Sequence, residues 1–305
     1  MGPRRPIVGG NWKCNPAETS KLAELVKNIN DCDTSKCDVY VCPSTLHVGM
    51  VYKQFTNGAC VAPQNCNFKG CGAFTGEMAA EQMLDMGISW CLIGHSERRG
   101  EFGLPTPAES NELIAGTKMG YLLEKGINVI LAIGEPLAER EKGLEATVAY
   151  CIPQLQPAVE HMKKYGADKI VIAYEPVWSI GTGVTASPAQ AQETHAALRK
   201  WLSENVSPEF AEAVRIQYGG SANAKNAPEL SAQPDVDGFL VGGASLKPEF
   251  KDIVAAIAEA KGLSQAFDEM YRKCGLEPVP GSSVAWRVAG GGASSGASDS
   301  MCVIS

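Results

Sequence analysis

The chain has 305 residues, enough for one large domain with a short addition, since an eight-stranded α/β barrel takes ~250. Apolar residues at 45% and charged residues at 20% fit a soluble globular protein with a sizeable core. The net charge of −7 excludes a global field that would draw the chain to nucleic acid or anionic lipid, so an anionic substrate needs a local cationic site.

No secretory leader is expected, because residues 1–6 are short and basic and no apolar run follows. Pro6 stands where a myristoylation signal has Ser or Thr, and no run approaches the ~20 apolar residues of a membrane span. The eleven cysteines are odd in number and none is spaced Cys-x-x-Cys, so no metal is expected. Cys42, Cys60 and Cys91 sit in apolar runs as small hydrophobes, which points to reduced, intracellular thiols.

In chain order the first strand is predicted at 7–12, with a helix over 17–29 and strands at 38–42 and 60–64. A helix over 78–86, a strand at 89–94, a helix over 112–125 and strands at 127–134 and 169–174 follow. A helix over 189–205, strands at 214–218 and 238–241, and a helix over 249–260 complete the pattern. Strands separated by helices pair in parallel, because only a crossover connection returns the chain. An open doubly wound sheet shares this pattern, but no Gly-x-Gly-x-x-Gly turn follows the first strand. The expected fold is therefore a closed eight-stranded parallel (β/α)8 barrel over 1–260 with a C-terminal extension, 261–305. In the extension, 262–274 extend a helix, 275–281 are rich in Pro and Gly, and 290–300 have a flexible Gly/Ser/Ala linker composition.

Active sites of such barrels lie at the C-terminal ends of the strands. Strand one ends in Asn11 and Lys13, strand four in His95, Ser96 and Glu97, and strand six in Glu175. Strands seven and eight end in the glycine pairs Gly219, Gly220 and Gly242, Gly243. Glycine turns let main-chain N–H groups approach an anion, and the turns after strands seven and eight are the usual phosphate site. A carboxylate in a closed apolar site suits a general base, an imidazole can donate to an oxygen that gains charge, and a lysine can stabilise phosphate and oxyanion. Together they suggest proton abstraction beside a carbonyl. Singly, each residue reads as ordinary: a lone Lys or Glu at a strand end is a solvated charge, glycine pairs mark turns, and His47, His161 and His195 are taken as structural.

The chain resembles the triosephosphate isomerase family. The matching stretches are Gly10-Asn-Trp-Lys-Cys14, Gly72-Ala-Phe-Thr-Gly-Glu77, Ile93-Gly-His-Ser-Glu-Arg-Arg99 and Ala173-Tyr-Glu-Pro-Val-Trp178. Ile180-Gly-Thr-Gly183, Tyr218-Gly-Gly-Ser221 and Gly238-Phe-Leu-Val-Gly-Gly-Ala-Ser-Leu246 continue them in the family's order. The resemblance implies interconversion of D-glyceraldehyde 3-phosphate and dihydroxyacetone phosphate, without cofactor, by a cytoplasmic homodimer. It makes Glu175 the base, His95 a neutral electrophile and Lys13 the stabilising cation, with Asn11 beside it and Glu97 paired to it. Residues 176–186 become the lid, and the N–H groups of Gly181, Ser221, Gly242 and Gly243 the phosphate grip. The neutral histidine and the water-excluding lid come with the resemblance alone, since this family is itself a standard illustration of such tuning. Thr75 would enter a partner subunit near Cys14 and Lys13.

Several positions depart from the family pattern. Ala132 replaces a cysteine, Ser179 and Val184 alter the lid, and 104–108 read as an insertion. Two rival readings are an isomerase of a larger sugar phosphate and a barrel that has lost catalysis and serves as an interaction protein. Finally, Cys302-Val-Ile-Ser305 fits a prenylation signal, with Ser305 favouring farnesyl. One lipid chain would give weak, reversible membrane association of a mainly cytosolic protein.

Overall fold

The computed structural model describes residues 4–100, 108–182, 184–278 and 286–288. Cys302, Gly183 and residues 104–107 of the insertion lie outside them. The chain runs β1 (Ile7–Asn11), α1 (Leu22–Asn30), β2 (Asp38–Cys42), α2 (Thr45–Val51), β3 (Cys60–Val61), α3 (Ala80–Asp85) and β4 (Trp90–Ile93). A π-helical segment, Glu112–Lys118, leads into α4 (Met119–Glu124) and β5 (Asn128–Ile133). Next come α5 (Leu137–Arg140), α6 (Leu144–Leu155), α7 (Val159–Tyr165), β6 (Ile170–Tyr174), α8 (Pro188–Asn205) and α9 (Pro208–Ala213). The barrel finishes with β7 (Arg215–Tyr218), α10 (Ala227–Ser231), β8 (Gly238–Val241) and α11 (Phe250–Lys273).

All neighbouring strands pair in parallel, in the order β3-β2-β1-β8-β7-β6-β5-β4. The ring closes where Leu92 N–H donates to Pro63 O at 2.8 Å. This is the (β/α)8 barrel expected. The third strand is shorter than the predicted 60–64, because Pro63 has no N–H to give a ladder.

Alternation along the strands divides the core into two layers. Ile7, Tyr40, Leu92, Ile130, Val171 and Leu240 belong to one buried cluster, and Val8, Val41, Ile93, Leu131 and Ile172 to another that includes helix residues such as Leu25, Leu122 and Ile253. Tyr40 explains the glycine at position 9, where a Cβ would lie 2.1 Å from its ring. The Tyr40 hydroxyl donates to Gln217 Oε1 at 2.7 Å, and Gln217 Nε2 donates to Ile7 O and Phe239 O.

The N-terminal ends of the strands are tied by ion pairs. Arg4 Nε meets Asp237 Oδ1 at 2.6 Å and Arg199 Nη2 meets Asp237 Oδ2 at 2.7 Å. Arg5 and Arg215 share Asp38 at 2.6 and 2.7 Å. Beyond the barrel, α11 runs unbroken through residues 260 and 261, as the continuation over 262–274 predicts. It leads to an antiparallel pair, β9 (Leu276–Pro278) with β10 (Trp286–Val288), where the composition suggests only a Pro/Gly-rich stretch. Among the described residues no helix is long and apolar enough to cross a membrane.

Candidate active site

Glu175 directly follows β6, and its N–H donates to Ile133 O at 2.7 Å, so the ladder fixes its backbone. Two strand-end glycines make room for it. A Cβ at Gly134 would lie 1.7 Å from Glu175 O, and one at Gly219 would lie 2.6 Å from Glu175 Cγ. The residue is 2% exposed. Its Oε2 accepts from Ser96 N–H at 3.4 Å, and its Oε1 lies 3.1 Å from His95 Nε2.

His95 begins a tight 3-10 turn, Ser96–Arg98, and the N–H of Glu97 donates to its Nδ1 at 3.2 Å. An amide aimed at Nδ1 needs a lone pair there. That hydrogen bond suits the tautomer with its proton on Nε2, facing Glu175, and Glu97 Oε2 lies 3.5 Å from the same Nδ1. Glu97 also reaches across to strand one, where its Oε1 pairs with Lys13 Nζ at 2.9 Å.

Lys13 stands at φ 51°, a left-handed conformation that costs a non-glycine residue roughly 1–2 kcal/mol. Neighbours hold it there: Asn11 Oδ1 accepts its N–H at 3.0 Å, and Gln64 Nε2 donates to its carbonyl at 2.8 Å. Gln64 also bonds Cys42 O and so clamps three strand ends together. A Cβ on Gly242 would lie 3.9 Å from Lys13 Cε, which places the turn after β8 beside the ammonium. Gly243 is exposed at the start of the 3-10 turn Gly243–Leu246.

The segment after Glu175 is anchored at both ends. Trp178 Nε1 donates to Glu135 Oε1 at 2.9 Å, and Ala186 N–H donates to the Tyr218 hydroxyl at 3.2 Å. Glu135 also accepts from Tyr174 at 3.0 Å and is fully buried, and that burial pushes its carboxyl above the ordinary 4.5. Ser179, one of the lid departures, is buried, and its Oγ accepts from Ser221 N–H at 3.3 Å. Between the anchors, Gly181 is exposed at φ 71° and Val184 is 56% exposed.

The structure thus brings Asn11, Lys13, His95, Ser96, Glu97 and Glu175 to one end of the barrel, with Gly242 adjoining and Ser221 joined to the lid. Cys14 and Thr75 are exposed on the single chain. Sequence reasoning misses Gln64, Glu135 and Arg99, which act through partners distant in sequence. Arg99 Nε donates to Gly94 O at 2.7 Å and its Nη2 to Ala132 O at 3.0 Å, so the substituted position still presents its carbonyl. Burial brings the Arg99 guanidinium down to about 10. Among the described residues no group of three or more His, Cys, Asp or Glu is placed to hold a metal ion.

A model of the triosephosphate isomerase family matches residues 6–257. The cytosolic triosephosphate isomerase of Oryza sativa subsp. japonica is 48% identical over 254 residues, covering 82% of this chain and 96% of the relative. The triosephosphate isomerase of Coprinopsis cinerea is 48% identical over 251 residues, covering 82% and 97%. That of Taenia solium is 46% identical over 255 residues, covering 83% and 98%. With this likeness along the whole barrel, and the strand-end residues in place, the chain belongs to the triosephosphate isomerase family.

Proposed function

We propose that this strand-end face interconverts D-glyceraldehyde 3-phosphate and dihydroxyacetone phosphate, a step of glycolysis and gluconeogenesis. Glu175 takes the proton from one carbon, the C–H electron pair forms an enediolate, and the same carboxyl returns the proton to the neighbouring carbon. His95 donates its Nε2 proton toward the substrate oxygens, and Lys13 stabilises the negative charge. The observation that carries this reading is the 3.1 Å contact between Glu175 Oε1 and His95 Nε2, at strand ends flanking Lys13. A base bonded to Ser96 N–H and His95 must turn from both to reach a carbon. The freed Nε2–H is then available to the substrate.

The phosphate is held by the N–H groups of Gly181, Ser221, Gly242 and Gly243, with Lys13. Ser221 N–H donates to Ser179 Oγ at 3.3 Å, so phosphate and Ser179 compete for it. That competition links substrate binding to rearrangement of the lid. The purified chain should form dihydroxyacetone phosphate from glyceraldehyde 3-phosphate in a coupled assay, and should keep that activity after dialysis against EDTA. No turnover of the triose, with turnover of a larger sugar phosphate, would refute the substrate assignment.

The working unit is a homodimer in which the Thr75 loop enters the partner near Cys14 and Lys13. Both Thr75 and Cys14 stand exposed, as such a docking requires. Thr75→Glu would bury an unpaired charge, shift sedimentation toward monomer and lower activity. The protein is cytoplasmic, with a minor membrane-bound fraction produced by prenylation of Cys302. The thiol sulfur displaces diphosphate from an allylic prenyl diphosphate, a thioether forms, and the thiol proton is lost. Intact-mass analysis of protein from its native cell tests this, and an unmodified chain retaining Ser305 would refute it.

A further inference from the structure

Helix α11 outlasts the barrel it packs on. Its first half buries Phe250, Ile253, Val254 and Ile257, and the family match ends at residue 257. From residue 261 to the end of the helix no residue is buried. This outer half is nevertheless amphipathic. Leu263, Ala266, Phe267 and Met270 fall within an arc of about 100° at helical spacing. Lys261, Gln265, Asp268, Glu269 and Arg272 occupy the remainder. Leu263, Phe267 and Met270 are 57%, 55% and 47% exposed.

We propose that this apolar face is a shallow membrane contact that works together with a lipid on Cys302. The proposal rests on the reading of Cys302 as prenylated. The position of Cys302 along the chain supports the choice of occupant. β9 follows α11 after one turn and pairs with β10, and residue 302 lies fourteen positions after residue 288. At no more than ~3.6 Å per residue, the thiol stays within roughly 50 Å of β10. Lipid and helix face can therefore meet the same surface at once. One prenyl chain binds a membrane marginally, and a second linked contact multiplies that binding. The face is small for the other occupant that suits it, a second copy. Its three large side chains expose roughly 300 Å², against the ~800 Å² that each partner of a stable dimer buries.

The test uses the full chain carrying S-farnesyl cysteine at position 302, made by ligation, so that it does not depend on any cellular transferase. Binding to phosphatidylcholine–phosphatidylserine vesicles is measured by co-sedimentation. The lipidated wild type should bind, and Leu263→Ser with Phe267→Ser should lower its partition coefficient about tenfold. Gln265→Ser with Glu269→Ser, on the polar face, should leave binding within twofold, and all forms should keep full isomerase activity. Equal binding of wild type and the Leu263/Phe267 variant would overturn the proposal. So would a concentration-dependent association that this variant abolishes while vesicle binding is unchanged, which would assign the face to a second copy. Finding Cys302 unmodified in the native cell would instead remove the lipid reading, whatever the vesicles show.

Discussion

The two ends of the barrel treat charge in opposite ways. At the N-terminal end of the strands, charges are matched: Arg4 and Arg199 close on Asp237, Arg199 also on Asp235, and Arg5 and Arg215 on Asp38. At the C-terminal end, matching is incomplete. Among the described residues Ser96 Oγ and Glu135 Oε2 are buried without a hydrogen-bond partner, as is Asn128 Oδ1 at the start of β5, but it is at the C-terminal end that a cation, Lys13, sits in left-handed backbone. Arg99 hydrogen-bonds uncharged acceptors there, Gly94 O, Asn111 Oδ1 and Ala132 O. One end uses its polar groups to hold strands together; the other keeps groups whose needs a substrate can meet.

Substitutions at the two ends should separate activity from stability. The largest effect is expected at Glu175→Gln, which removes the base while keeping the shape. kcat should fall ~10²–10⁴-fold with the melting temperature nearly unchanged. A matching loss of stability would mean that the two ends are not distinct.

The converse experiment is Asp237→Ala. Leaving Arg4 and Arg199 without their shared carboxylate should cost about 3–5 kcal/mol in denaturant unfolding, with kcat of the folded enzyme retained. Burial opposes ionisation of Asp237, but the two arginines more than offset it and hold the carboxyl below its ordinary 3.8. Its stabilisation is therefore full above that value and is lost as pH falls through the lowered one. The acid limb of unfolding should lose this component in Asp237→Asn.

Lys13→Met should lower kcat/KM by ~10²–10³-fold, while Lys→Met at exposed Lys200 changes little. Equal effects would remove Lys13 from the site.

The smallest effect concerns His195, a buried group between the two ends. Its Nδ1 lies 3.0 Å from Asp235 O, its Nε2 has no hydrogen-bond partner among the described residues, and burial pushes it down to about 4. A lowered histidine stabilises the fold fully above its ordinary 6.5, and that stability drains as pH falls toward 4. Between pH 7 and 5 the loss should reach about 2 kcal/mol. Denaturant midpoints should show it, and His195→Gln should flatten the slope.

The site is legible in the sequence through position: Lys13, His95 and Glu175 each end a recognisable strand, and barrels do chemistry there. The residues that hold those three are not legible. Gln64 reads as part of a strand, although its function is to bond the carbonyls of Lys13 and Cys42. Tyr40 and Gln217 meet across 177 positions, a distance at which periodicity carries no signal. Pro63 ends the ladder of β3, whereas the predicted strand runs three residues past Val61. The β9–β10 pair is hidden because Pro and Gly usually mark coil, and an edge pair tolerates both.

The closure at Pro63 has a consequence for how the molecule opens. β5 and β6 align over five residue pairs, whereas the seam from β3 to β4 is closed by the Leu92 amide on Pro63 O. If that seam parts, the ring becomes an open sheet with two raw edges, by the shortest route available. Amide hydrogen exchange should therefore release Leu92 well before Ile172, which is pinned inside the β5–β6–β7 ladder. The loop carrying Thr75 hangs from this same seam. A partner subunit holding that loop would slow the exchange at Leu92, so the amide would report assembly as well as local opening.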